Sequence, residues 1–392
     1  MKKKFIVLIV ATVIISMGFG LVATISVSQA APEPWQRKIV IFKSGVLNEP
    51  ARDALIAKFG GVKIKDLTLI NGKAVLLPPK AEALLGKQAG VLRIDNDVEV
   101  FTLSRAKIQP SEILPWGINR IDAELVWGTT IGNLVKVAII DTGIDVKHPD
   151  LQANLKGGVS AVSYTTSYND DNGHGTHVAG IVAAVDNEIG VIGVGPQINL
   201  YAVKVLDRRG SGYLSDVIEG LDWAIQNEMQ VVNMSLGTSS DILSLREAVQ
   251  RVNQAGIVQV AAAGNSGGAV IYPAAYPEVI AVSATDSADT IASWSSRGPE
   301  IDLAAPGVSI FSTYKGQTYK ILSGTSMAAP HVTGAAALVL TVPEKCDLDL
   351  SGSCSPTEVQ QRLEATAKPL GVEGKDSLYG SGLANAYNAV QQ

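Results

Sequence analysis

Five runs of the chain, 135–140, 199–205, 231–234, 257–262 and 279–283, are apolar from end to end or nearly so, and each is too short for a helix. A strand with one wet face would alternate; these do not, so both of their faces must be covered. Between them lie Gly/Asp/Asn-rich turns and longer stretches of helical pattern at 174–184, 215–226, 242–255, 326–340 and 356–367. That rhythm predicts an α/β fold, a three-layer sandwich with a mostly parallel central sheet between two helical layers. With 38 Gly and only 5% aromatic residues, the composition suits closely packed layers, and no internal period marks a repeat array.

The first hundred residues read differently. Lys2, Lys3 and Lys4 precede an apolar run from Phe5 to Ile25, and Ser28-Gln29-Ala30-Ala31 follows as a small-residue cleavage signature, so 1–30 is expected to be an export signal. The run is also long enough to cross a bilayer, and an uncleaved anchor is the alternative. Residues 38–42, 49–59, 62–70, 73–77, 80–87 and 91–95 then follow a β-α-β-β-α-β order, a small α+β domain. The polar, Pro-interrupted stretch after Arg105 places its end near residue 108. Charge divides at the same point: 16 basic and 8 acidic residues up to 108, then 16 against 29, within a total of -5. So acidic a body is a poor nucleic-acid partner and a good cation host, and the basic leader would be attracted to it. Export also bears on Cys346 and Cys354, the only cysteines, because a thiol-poor exterior favours a local disulfide over two free thiols.

In a parallel sheet, ligands collect beyond the carboxyl ends of the strands. Val-Lys-Val-Ala-Ile-Ile-Asp-Thr-Gly puts Asp141 at such an end, Asn-Gly-His-Gly-Thr-His puts His174 at a helix start, and Gly-Thr-Ser-Met-Ala-Ala-Pro-His puts Ser326 at another. A serine hydroxyl becomes a nucleophile when an imidazole takes its proton, and a carboxylate fixes that imidazole's tautomer. Singly, a strand-end Asp is a turn former, a helix-start Ser an N-cap and a lone His a core residue. Together they supply one of each part, and a non-catalytic relative would have lost one of them. The order Asp, His, Ser differs from that of the α/β-hydrolases.

These segments resemble the signatures of the subtilisin-like serine proteases, in that family's order Asp, His, Ser, over about 114–387 and more faintly through the leader. The resemblance implies a secreted, monomeric endopeptidase of broad specificity, acting on protein and peptide substrates. It further implies a self-processing precursor: signal 1–30, a propeptide at 31–108 serving as chaperone and inhibitor, and a catalytic domain at 109–392. Asp141 would orient His174 as general base for Ser326, and Asn265, after Gly264, would donate to the oxyanion together with the Ser326 backbone N–H. His177, His331 and His148 are expected to be structural.

Family substrates add a strand between two edges, which here would be Gly210-Ser211-Gly212 and Ser235-Leu236-Gly237. Leu206, Leu214 and Val217 would line the pocket for the fourth side chain before the cut. The floor of the primary pocket, often Gly or Ser in the family, is Ile271, which should shorten it. A calcium site is implied at Glu112, Asp150, Asn187 and the carbonyls of Val185, Ile189 and Val191. A further loop, Asp347, Asp349, Ser351, Gly352, Ser353 and Glu358, has the spacing of a twelve-residue calcium loop. It reads equally as a capped helix start, with Ser355, Pro356 and Glu358 as the capping box.

Overall fold

The computed structural model describes residues 35–102, 105–107 and 113–392; the expected export signal and Glu112 lie outside them. In the leader, β1 (Gln36–Phe42), α1 (Glu49–Lys58), β2 (Val62–Leu67), β3 (Gly72–Leu77), α2 (Ala81–Leu85) and β4 (Val91–Asn96) take the predicted order. The strands form one antiparallel sheet, β2-β3-β1-β4. Alternation along them sends Val40, Phe42, Val75 and Leu77 to one core with Ile56 and Leu85 of the two helices. Ile39, Ile41 and Ala74 point the other way, into a core shared with the body of the protein. Asn48 starts α1 by accepting the Ala51 amide at 3.0 Å, with Pro50 in the first turn. Two short strands, β5 (Glu99–Thr102) and β6 (Arg105–Lys107), leave this sheet and pair elsewhere.

The body runs α3 (Trp116–Arg120), β7 (Lys136–Asp141), β8 (Leu155–Ser160), α4 (His174–Ala183), β9 (Asn199–Lys204), β10 (Ser211–Tyr213), α5 (Leu214–Gln226), β11 (Val231–Met234), β12 (Leu236–Gly237) and α6 (Leu243–Gln254). It continues through β13 (Val258–Ala262), β14 (Ile280–Thr285), β15 (Leu303–Pro306), β16 (Ile310–Tyr314), β17 (Thr318–Ser323), α7 (Thr325–Leu340), α8 (Pro356–Ala365) and α9 (Ala386–Gln391). Seven strands form the central sheet in the order β15-β14-β13-β11-β7-β9-β8, every pairing parallel. One core holds α4, α7 and α9 against one face of it, the other α5 and α6 against the opposite face. This is the three-layer sandwich expected of runs that are apolar on both sides.

Two strands of this sheet were not expected. Leu-Lys-Gly-Gly-Val-Ser makes β8, an edge strand that is only half buried, and Leu-Ala-Ala-Pro makes β15, which closes the opposite edge. β8 is interrupted by Lys156, Gly157 and Gly158, and β15, though wholly buried, is only four residues long and ends in proline. Cys346 and Cys354 are joined, with their Cα atoms 5.6 Å apart. No helix among the described residues is long and apolar enough to cross a membrane.

Candidate active site

Three buried ends of elements carry the expected residues. Asp141 closes β7, His174 opens α4 and Ser326 is the second residue of α7, with Asp141 and Ser326 wholly buried. His174 Nδ1 lies 2.8 Å from both Asp141 carboxylate oxygens, and the Thr142 amide donates to Oδ1 at 2.7 Å. With the ring proton on Nδ1, Nε2 is an acceptor, and it has no hydrogen-bond partner among the described residues. Glycine permits the approach of α4 to β7, since a Cβ at Gly175 would sit 2.2 Å from the Gly143 carbonyl.

Pro330 lies inside α7 and has no N–H to offer the carbonyl four residues back, which is that of Ser326. The Ser235 hydroxyl donates to that carbonyl at 2.9 Å, and the Ser326 hydroxyl donates to the Ser235 carbonyl at 3.2 Å. Asn233 Nδ2 donates to Ser235 Oγ at 2.9 Å, and Thr333 Oγ1 to Asn233 Oδ1 at 2.8 Å, tying the helix to β11 two turns on. The Thr325 amide and hydroxyl both donate to Asn265 Oδ1 at 2.9 Å. An amide can only donate, so this contact fixes the flip of Asn265 and leaves its Nδ2 free to act as a donor.

The two expected edges flank the leader's own β5. Ser211 and Gly212 pair antiparallel with Phe101 and Val100, and Leu236 and Gly237 with Thr102 and Phe101. Val100 is buried in the core cluster that contains Leu206, Leu214 and Val217, the residues expected to line the fourth pocket, and Leu236 of the second edge. β6 pairs with β17, on the other side of the gap after Thr102. Gly212 must lack a side chain, since its Cβ would meet the Val205 carbonyl at 2.3 Å. Ile271 projects between the facing walls: a Cβ at Gly237 would meet its Cδ1 at 2.7 Å, and one at Gly264 its Cγ2 at 3.3 Å.

The leader is also bonded to the two helices behind these edges. Asp97 accepts the Ser215 amide at 3.0 Å and its hydroxyl at 2.9 Å in the first turn of α5. Lys65 pairs with Asp216 at 2.5 Å and Glu219 at 2.8 Å, and Arg93 binds both oxygens of Glu247 on α6.

The remaining histidines are structural, as expected. His177 Nε2 donates to the Ile310 and Lys320 carbonyls at 3.1 and 3.0 Å, and His331 Nδ1 to that of Met327 at 2.8 Å. Burial pushes His177 down to about 3 and His331 to about 4. His148 is buried too, bonded to the Thr318 carbonyl, and burial lowers it as well.

Asp150 is wholly buried and, among the described residues, has no cationic partner. Its oxygens accept Asn187 Nδ2 at 3.2 Å and the Val191 amide at 2.9 Å, and the loop between carries Glu188 and Gly190 in left-handed conformations. A buried carboxylate without a counter-ion, beside a loop wound to expose backbone, is a donor set that fits a hard cation. In the later loop, ligand atoms of Asp347, Asp349 and Glu358 lie within 4.8 Å of one another. The capping box is formed there as well: Glu358 accepts the Ser355 amide and hydroxyl, then the amides of Leu348 and Asp349, which holds its carboxyl near 2. Asp347 and Asp349 accept the Ser351 and Gly352 amides.

Sequence reasoning missed Ser235 as a hydrogen-bond donor, the Thr325 clamp on Asn265, and Asp170. Buried Asp170 accepts the amides of Asn172, Gly173 and Thr176 and the Thr176 hydroxyl, which shapes the turn into His174. The only signal was position: Ser235 and Thr325 lie inside segments already singled out, and Asp170 two residues ahead of one.

Fold and site together define a serine endopeptidase. Residues 132–382 match the model of the subtilase family. A thermostable alkaline protease of Halalkalibacterium halodurans is 47% identical over 310 residues, 79% of this chain and 82% of its own. Subtilisin J of Geobacillus stearothermophilus and subtilisin E of Bacillus subtilis are each 42% identical over 402 and 401 residues, 100% of this chain and 99% of theirs. The chain belongs to the subtilase family.

Proposed function

We propose that this subtilase is exported as a self-processing precursor and, once mature, cleaves extracellular proteins and peptides with broad specificity as a monomer. His174 Nε2 takes the Ser326 proton as Oγ attacks the scissile carbonyl, and Asp141 holds the ring and its developing charge. The oxyanion is met by Asn265 Nδ2 and the Ser326 amide at the start of α7. His174 then protonates the leaving amine, and water releases the acyl group by the reverse path. Backbone pairing on Gly210–Gly212 and Ser235–Gly237 supplies affinity without side-chain identity, Gly264 and Ile271 bound the primary pocket, and Leu206, Leu214 and Val217 read the fourth side chain.

The observation that carries this reading is β5, seated between β10 and β12 with Val100 in that pocket. On this reading the leader would occupy the cleft as a substrate does, as chaperone and then inhibitor, and the pairing of β5 with β12 and of β6 with β17 supports a cut between Thr102 and Arg105. That lies a few residues ahead of the boundary drawn from composition at 108. Calcium, when bound by Asp150, Asn187, the carbonyls of Val185, Ile189 and Val191, and Glu112, would neutralise the buried carboxylate and stabilise the loop. The loop with Asp347, Asp349 and Glu358 satisfies both cation and capping chemistry, and the disulfide between Cys346 and Cys354 closes it in either case.

Labelling with an active-site serine phosphonate, followed by intact mass of the labelled protein, tests the whole reading. One label on Ser326 and a mature N-terminus between 103 and 105 are expected. A label elsewhere, or none, would overturn it.

A further inference from the structure

We propose that Lys204 is a positioning residue for the Asp141–His174 pair, acting through the ends of the strands and the loop that carry them. It is the last residue of β9, wholly buried, and its ammonium donates to three oxygens: the carbonyls of Thr142 at 2.7 Å and Leu206 at 3.0 Å, and Asp171 Oδ1 at 2.7 Å. Each acceptor belongs to a different part of the cleft. Thr142 follows Asp141, Asp171 lies three residues ahead of His174, and Leu206 opens the segment that leads to β10. One cation thereby gathers the carboxylate strand, the imidazole loop and the substrate edge.

An ammonium is buried only where its donors are committed, and three acceptors are what it can use. Asp171 is fixed from its other side: Tyr164 Oη donates to its Oδ2 at 2.7 Å, and Lys315 Nζ to its backbone carbonyl at 2.6 Å. Burial pulls the Asp171 carboxyl upward, but its bonds from Lys204 and Tyr164 outweigh that and leave it below the usual carboxylate range. Lys204 touches no reacting atom, so its influence on the chemistry runs through geometry and field.

The charged and titratable groups around His174 are Asp141 on β7, His177 on α4, His331 on α7, Asp170 and Asp171 in the loop, Lys204 on β9, and Lys315 and Lys320 around the β16–β17 hairpin. The Lys204–Asp171 pair can be dismantled one half at a time. Lys204→Met leaves Asp171 unopposed, which favours the imidazolium and moves the acid limb of kcat/KM up by a few tenths of a pH unit. Asp171→Asn leaves the cation unopposed and moves that limb down by a similar amount. The double variant returns the limb close to the parent's, yet keeps the roughly tenfold lower kcat expected of a loosened Asp141–His174 pair.

The inference rests on the reading of Asp141, His174 and Ser326 given above, but it is tested separately. Activity surviving in Ser326→Ala would sink that reading; the position of the acid limb in active enzyme addresses Lys204 alone. The experiment is the pH profile of the mature parent and three variants on one chromogenic peptide anilide, with melting temperatures alongside. Opposite displacements in the two single variants support the proposal. Unmoved limbs and parental kcat, with only the melting temperature lowered, would reduce Lys204 to a structural residue. If Lys204→Met does not fold, Asp171→Asn decides, and an unmoved limb there overturns the proposal.

Discussion

Thr325 holds Asn265 by two hydrogen bonds to a single atom, its amide and its hydroxyl both donating to Oδ1 at 2.9 Å. Asn265 is therefore held in one orientation, with Nδ2 free to donate to the oxyanion as proposed. Asn265→Ala should lower kcat by about a hundredfold to a thousandfold, the range established on subtilisins themselves for this donor, with KM nearly unchanged. Turnover per titrated active site is the measurement, and parity with the parent would refute the role.

Ser326→Ala should leave the precursor uncut, because the enzyme's own site is expected to open the peptide between Thr102 and Arg105. Intact mass of the purified variant, held without other proteases, reads this directly. A processed product would mean that another enzyme makes the cut.

If Ile271 floors the primary pocket as proposed, its wedge between Gly237 and Gly264 sets an upper size on the residue before the scissile bond. Ile271→Gly removes a whole side chain from that space, and one methylene alone is worth about 1–3 kcal/mol of discrimination. The ratio of kcat/KM for a Phe over an Ala peptide should therefore rise at least about tenfold. An unchanged ratio would show that the pocket floor lies elsewhere.

His177 and His331 give the fold an acid limit. Their folded values, about 3 and about 4, lie below the ordinary 6.5, so the unfolded chain binds more protons across that interval. Stability is then full above 6.5 and falls as pH drops toward the folded values, by up to about 1.4 kcal/mol per pH unit for each histidine. Denaturant midpoints between pH 7 and 4.5 should show this slope, and His177→Gln, which keeps a donor for the Ile310 and Lys320 carbonyls, should flatten it. A His177→Gln slope equal to the parent's would assign the acid sensitivity to other groups.

Calcium stabilises whatever state binds it, so a chelator should lower the melting temperature of the mature enzyme. Asp150→Ala should abolish most of that response. Asp347→Ala with Asp349→Ala should remove a second, smaller part if the later loop binds an ion. If that loop only caps α8, metal analysis after dialysis will give the parent's stoichiometry, and Ser355→Ala alone will cost about 1 kcal/mol.

Much of this was legible because the chemistry is local. Asp141, His174 and Ser326 each sit where a buried run meets a turn, and burial on both faces is written in consecutive apolar letters. The edge strands β8 and β15 were hidden because the one is interrupted by Lys156 and two glycines and the other is four residues long and ends in Pro306. Lys204 was hidden for the opposite reason: a lysine ending an apolar strand reads as its exit to solvent, and only the convergence of Thr142, Asp171 and Leu206 shows otherwise. The seating of β5 between β10 and β12 joins residues more than a hundred positions apart, a distance over which one sequence carries no pairing signal.

If the leader inhibits and is cut away as proposed, that central strand also changes the order of the reaction that restrains the enzyme. While the peptide after Thr102 is whole, the leader meets the cleft at the effective concentration of a tethered segment, and dilution cannot loosen it. Once it is cut, the same three-stranded arrangement becomes a complex of two molecules, whose survival depends on how many copies share the volume. On that proposal a high concentration of the enzyme would keep the cleft filled, and dilution would open it without any further signal.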